Sequence, residues 1–251
     1  MSGRAALVAG RLLILAALLL VWEVLPRAGL VDAELLPPFS AAFMAMVRML
    51  GRPAIQADLL TSAAEVGVAF AASIPLGLLL GLALGESRAF ARVADPLIFF
   101  LFGLPKSIFL PMFILTLGIG FGEKVAFGVF STALIVTMSA AAAVRSVKPE
   151  HRLVARSYGA TPLQVAAQVY LPSMLPVLLE GLRTALIFTV TAIMLAEVYA
   201  SRSGFGHRLA DWGENSDMTQ LLAGVLLVSI AAILINEAMR WMEQRCSAWR
   251  N

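Results

Sequence analysis

Cysteine, histidine and lysine are almost absent from this 251-residue chain, and each shortage excludes a class of chemistry. Cys246 is the sole cysteine, so no intrachain disulfide can form; with only His151 and His207 beside it, no zinc-ligand cluster exists. None of the three lysines, Lys106, Lys124 and Lys148, follows a glycine. A Walker A loop needs Gly-Lys-Ser/Thr to cradle phosphates, so the chain carries no such ATP site and any nucleotide energy must come from another subunit. There is no Gly-x-Ser-x-Gly, and both histidines fall in predicted loops, which leaves an intramembrane hydrolase without a nucleophile beside its base. Charge is scarce as well: Asp, Glu, Lys and Arg make up 14% of the chain, against about 25% in soluble domains.

What fills the space is apolar. Hydrophobic residues make up 60% and the mean hydropathy is +0.86, which excludes a water-soluble domain, a disordered chain and a collagen. At roughly 20 apolar residues per crossing, this length holds about six membrane spans and little else. The spans are read at 12–25, 62–85, 94–118, 125–144, 174–199 and 221–241. The first, preceded by Arg4 and Arg11, also fits a signal peptide, but no small-x-small cleavage site follows Leu20 and it is expected to be retained. Between Pro37 and Leu60, Phe39, Phe43, Met46, Val47 and Leu50 recur at helical spacing, as in an amphipathic helix lying at the interface. Gly77, Gly81 and Gly85 form a double small-xxx-small pattern that lets another helix approach closely. Pro105 and Pro111 should bend the third span, since proline removes a backbone donor.

The net charge of +3 would raise the question of nucleic acid in a soluble protein. Here it is explained by orientation. Eleven Lys/Arg residues lie on the side of the termini and of the 145–172 connection, six lie on the other, and Lys106 and Arg183 fall within spans. By the positive-inside rule both termini and residues 145–172 are cytoplasmic, no nucleic-acid partner is implied, and the lipid bilayer is the solvent.

That connection is written as two short helices. Pro149 suits a first helical position, Leu153, Val154, Ser157 and Tyr158 share a face, and Gly159 is placed to end the helix in a left-handed conformation. Thr161-Pro162-Leu163-Gln164 is a capping box; Leu163, Ala166, Ala167 and Tyr170 follow at helical spacing, and Leu171-Pro172 is read as the stop. Such apolar faces on the wet side either lie on the headgroups or fit a groove on a soluble partner. Periodicity does not separate the two.

The stretch from Leu153 through Val154, Ala155, Ser157, Tyr158, Gly159, Ala160 and Thr161, followed by Val169-Tyr-Leu-Pro172, resembles the EAA loop of ABC-importer permeases. The family's alanines fall on Val154 and Ala155 and its glycine on Gly159, whereas its glutamate position holds Leu153. Leu104-Pro-Lys-Ser-Ile-Phe-Leu-Pro, Gly118-Ile-Gly120, Gly181-Leu-Arg183, Ala196-Glu197 and Ser203-Gly-Phe-Gly206 are similar to the nitrate, sulfonate and taurine branch. The resemblance spans about 59–241. It implies an all-α polytopic permease of the type I importer kind, with a single membrane domain over 1–251, in a bacterial cytoplasmic membrane. It further implies a dimer, two cytoplasmic ATP-binding subunits docked on Leu153 to Leu163, an extracytoplasmic solute-binding protein, alternating access for a small anionic solute, and no cofactor or catalytic residue of its own.

A charge at membrane depth costs about 2.5–3.5 kcal/mol on insertion scales, so each needs a reason. Lys106, beside Pro105, either contacts an anionic substrate, snorkels or makes a structural hydrogen bond. Glu197 either lines the outer gate or caps the following loop. Glu180 and Arg183, three apart, can pair, and Glu65 and Glu237 sit near span ends where snorkelling suffices. An ion-coupled carrier would use Glu180 or Glu197 as a proton relay, but it leaves the two-helix loop unexplained, and no internal repeat is visible.

Overall fold

The computed structural model describes residues 2–247, and all regular structure among them is helical. In chain order the α-helices are α1 (Ser2–Arg27), α2 (Phe39–Leu50), α3 (Pro53–Glu86), α4 (Arg88–Gly103), α5 (Leu110–Leu117), α6 (Phe121–Arg145), α7 (Pro149–Ser157), α8 (Pro162–Val165), α9 (Leu171–Ala200), α10 (Phe205–Glu214) and α11 (Met218–Ser247). Five helical segments among the described residues are long and apolar enough to cross a membrane. A sixth crossing is available from α4 and the segment Lys106–Leu117, which meet at a 90° break. The break falls at Pro105, where a short 3₁₀ turn, Lys106–Phe109, intervenes before α5. The bend expected from the prolines is therefore present.

The chain divides into two compact units. The first comprises Met1–Asp58 and Arg208–Ala231. Here Pro38 stands at the N-cap of α2, where it offers no side-chain acceptor. Glu23 from α1 supplies the acceptor, taking the Ser40 N–H at 2.9 Å and its hydroxyl at 2.8 Å. Trp22 Nε1 donates to Pro37 O at 3.0 Å, fixing the same turn. The face of α2 buried in the protein is Ala42, Ala45, Met46 and Met49. Phe43, Val47 and Leu50 point outward, so Met46 does not share their stripe as the spacing suggested; both faces are apolar, and the sequence alone could not say which is covered. The outward stripe suits the membrane interface.

The second unit comprises Leu59–His207 and Ala232–Asn251 and is centred on the α6–α9 pair, with the glycines of α3 laid against α6. The three α3 glycines form the contact. A Cβ on Gly77 would run into Val136, one on Gly81 into Ala140 Cβ and Thr137 O at 2.5 Å each, and one on Gly85 into Val144. The spacing Gly77, Gly81, Gly85 thus meets Val136, Ala140, Val144 at the same four-residue step. Thr132 and Thr189 hydrogen-bond at 2.8 Å in the middle of the α6–α9 seam, a buried polar link between spans. Gly81→Val is expected to force α3 and α6 apart at a cost of about 1–3 kcal/mol, read as a lowered detergent unfolding temperature. The same change at Gly67, where a Cβ meets nothing within 4 Å, should have little effect.

One expected boundary is absent. Leu171-Pro172 does not stop the second short helix; the chain runs from α8 through a π-helical turn, Ala166–Tyr170, directly into α9. Proline has no N–H to give to the preceding turn, and the widened turn just before Pro172 accommodates that missing donor without ending the helix. It also shifts the register, so Leu163 is exposed while Tyr170 turns in against Ala143, Val144 and Met174.

Candidate functional site

The α6–α9 connection is locally well specified. Lys148 precedes Pro149 at the first turn of α7, and Gly159 ends that helix at φ +79°, the left-handed conformation the sequence predicts there. At the start of α8 the capping box is reciprocal: the Thr161 N–H donates to Gln164 Oε1 at 2.8 Å, and the Gln164 N–H donates to Thr161 Oγ1 at 3.3 Å. Large apolar side chains nevertheless face outward. Leu153 is 69% exposed, Tyr158 89% and Leu163 79%, with Val154 and Ser157 also exposed and Ala155 and Ala160 half-buried. Together these side chains form an exposed apolar surface on one capped helix–turn–helix. Val165 in α8 is turned fully inward.

Lys106 opens the 3₁₀ turn at the elbow between α4 and α5. Its Nζ lies 4.8 Å from the centre of the Phe102 ring and 5.9 Å from that of Phe188 on α9. Ring faces attract a cation without neutralising it. Among the described residues no acidic side chain pairs with it.

Glu197 is placed differently. It is fully buried near the end of α9, and its carboxylate holds the loop that follows. Ser62 Oγ donates to Glu197 Oε1 at 2.6 Å, and the Gly206 N–H donates to Oε2 at 2.7 Å. Ser62 Oγ in turn accepts the Phe205 N–H at 2.8 Å. Gly204, at φ +102°, lies so close to the carboxylate that any Cβ would collide with it. Beside this cap, Lys124 Nζ stands 2.5 Å from Glu65 Oε1, both side chains 1% exposed, and donates to Ser201 Oγ and Ser203 O at 3.1 Å each.

The structure corrects two readings of charge. Glu65 does not snorkel: α6 begins at Phe121, which draws Lys124 inside the helix and opposite Glu65. The sequence alone places Lys124 in an outer loop, one residue before the span read at 125–144. Arg183 does not pair with Glu180, which is exposed; it reaches Glu243 of α11 at 3.4 Å. Glu237 is close to expectation, half-exposed and paired with Arg240. No group of His, Cys, Asp or Glu among the described residues could hold a metal ion.

Residues 73–247 match the family described as binding-protein-dependent transport system inner membrane component. Among curated relatives, the taurine transport system permease protein TauC of Escherichia coli (strain K12) is 29% identical over 94% of this chain and 87% of its own length. The putative aliphatic sulfonates transport permease protein SsuC of Bacillus subtilis (strain 168) is 27% identical over 96% and 87%. The nitrate import permease protein NrtB of Synechocystis sp. (strain ATCC 27184 / PCC 6803 / Kazusa) is 23% identical over 74% and 68%. Among solved structures, an inward-facing MetNI methionine ABC transporter covers 80% of this chain and 97% of its own at 20% identity, with a TM-score of 0.68. A bacterial ABC transporter involved in import of the acidic polysaccharide alginate covers 97% and 96% at 15% identity, with a TM-score of 0.66. At these identities the two structures speak for the fold alone.

Proposed function

We infer the function from the family to which the chain belongs, the binding-protein-dependent transport system inner membrane components. The chain is a permease subunit of the branch that includes taurine, sulfonate and nitrate permeases. In our reading residues 1–251 act as one membrane permease domain in a bacterial cytoplasmic membrane, with both termini and the α6–α9 connection on the cytoplasmic side. Two copies pair around a path for a small anionic solute, which an extracytoplasmic binding protein delivers. A separate ATPase subunit docks on Leu153, Val154, Ala155, Ser157, Tyr158, Gly159, Ala160, Thr161 and Leu163.

The observation that carries the reading is the contrast within that connection: a turn fixed by Gly159 and a reciprocal capping box, yet presenting Leu153, Tyr158 and Leu163 outward. The faces suit a groove on a soluble partner. Because α6 and α9 are its two ends, closure of a docked ATPase pair moves both spans together, and access alternates as a rigid-body shift between inward-open and outward-open states. Purification of the tagged chain in mild detergent tests this: an ATPase subunit is expected to co-purify. A lone chain that accumulates solute on an ion gradient would instead establish an ion-coupled carrier.

Lys106 is assigned to the path as the contact for the solute's negative charge, with Glu197 acting on the path from behind, through the loop it caps. Lys106→Ala is expected to lower uptake of anionic candidates such as taurine or nitrate by about tenfold, the equivalent of 1.4 kcal/mol, relative to neutral ones. Unchanged selectivity in reconstituted vesicles would remove Lys106 from the path.

A further inference from the structure

We propose, beyond the permease reading, that the cleft where the ends of α3, α4 and α6 meet binds an anionic phospholipid, its phosphate held by Arg88 and Arg92 and one acyl chain laid between α4 and α6. The inference rests only on the membrane setting of the family. The cleft has a volume of about 790 Å³ and is lined by Glu86 at the end of α3, Arg88, Arg92 and Asp95 on α4, and Arg145 at the end of α6. Arg145 is committed: its Nη2 donates to both Asp95 oxygens, at 3.2 and 3.0 Å, and clamps α6 to α4. Arg88 and Arg92 are four residues apart and so share a face of α4. Both are exposed, and neither pairs with an acid among the described residues. With Asp95 matched by Arg145, the cleft retains two cations against the one carboxylate of Glu86. Like charges one turn apart repel, and a phosphate between them relieves the repulsion.

The positive-inside rule accounts for arginines at this end of the spans, but not for what the cleft opens on. Leu84, Asp95 and Arg145 also line a second hollow, of about 440 Å³. Its other walls are mainly apolar: Ile98 and Phe99 on α4, with Met138, Ala141 and Ala142 on α6. The two alanines leave room beside α6, and no residue of α4 is buried. At about 1.5 Å per residue, Arg88 to Phe99 spans about 16 Å and Met138 to Arg145 about 10 Å, against about 15 Å for one leaflet of hydrocarbon. The charged and apolar parts therefore follow one another in the order and at the depth of a phospholipid, with the phosphate at the span ends and the chain alongside them. A soluble anion matches only the first part. A zwitterionic lipid matches the second but brings its own cation to two arginines, whereas basic pockets between spans suit anionic headgroups.

The test uses the full chain, purified in mild detergent with any subunit it retains, and native mass spectrometry to count bound lipid. Phosphatidylglycerol and phosphatidylcholine with the same acyl chains are titrated separately, and inorganic phosphate is added as a competitor. The wild type is expected to take up phosphatidylglycerol as a discrete adduct, with a half-saturating concentration about fivefold or more below that of phosphatidylcholine. Arg88→Gln with Arg92→Gln should erase that preference. Ala142→Phe fills the groove and leaves the charges alone, so it should weaken both lipids by about fivefold. All three positions are exposed, so the fold is expected to survive, and circular dichroism of each variant checks that it does. The proposal is overturned if the two lipids bind the wild type alike, if the preference outlives the double variant, or if Ala142→Phe binds both lipids as the wild type does. Displacement of phosphatidylglycerol by inorganic phosphate would overturn it too, since the cleft would then take a free anion. Adduct formation needs no ATPase subunit, so a chain that purifies alone overturns the permease reading and leaves this one to its own result.

Discussion

Gly159→Val is expected to abolish ATP-driven uptake while leaving the chain inserted in the membrane. The reason lies in the backbone. Gly159 adopts φ +79°, and nothing lies within 4 Å of where its Cβ would stand, so a side chain meets no obstacle in space. The obstacle is conformational: a β-branched residue in the left-handed region costs roughly 1–2 kcal/mol, and the turn relaxes by changing φ. That change swings α7 relative to α8, separating Leu153 and Tyr158 from Leu163 and spoiling the surface they form. Asparagine tolerates the left-handed region, so Gly159→Asn should retain most uptake. Uptake and ATPase co-purification are the measurements; if both survive in the valine variant, the docking assignment is wrong.

Lys124→Met should be the most damaging single change to stability. It leaves Glu65 buried without its partner ion, which by analogy with other buried pairs costs about 3–5 kcal/mol. Ser201 Oγ and Ser203 O also lose the lysine as a second donor. The double variant Glu65→Met with Lys124→Met removes the stranded charge and should recover much of the loss, because apolar replacement of a whole pair is often neutral. Unfolding temperatures in detergent for the two singles and the double decide it. A Lys124→Met chain as stable as the wild type would mean that the pair is not buried.

Much of this architecture can be read from residues. Long apolar runs mark the spans because a bilayer demands about 20 such residues, and the positions of Pro105, Gly159 and Thr161/Gln164 announce a bend, a helix end and a helix start through local chemistry alone. What could not be read depends on which residues meet across the fold. Lys124 looks like an outer-loop charge until α6 is seen to begin at Phe121, and Glu65 looks like a snorkelling residue until Lys124 is opposite it. Likewise Arg183 has an acid three residues away in sequence but takes Glu243, over fifty residues on, because α11 lies on its side of α9 and Glu180 faces out. The continuation of α8 through a π-helical turn into α9 was hidden by Leu171-Pro172, which reads locally as a stop. The small residues that fit α3 to α6 were legible as a pattern, but their partners Val136, Ala140 and Val144 were not.

The central claim is that the exposed faces of the α6–α9 connection meet a soluble ATPase and not the lipid headgroups. Site-specific photo-crosslinking separates the two outcomes, with a photoreactive amino acid placed at Tyr158, the most exposed of the faces' large side chains at 89%. In native membranes the account predicts a covalent adduct between this chain and a nucleotide-binding subunit, lost when Leu153 and Leu163 are both changed to aspartate. Adducts with lipid alone, in a chain whose ATP-driven uptake is intact, would contradict it.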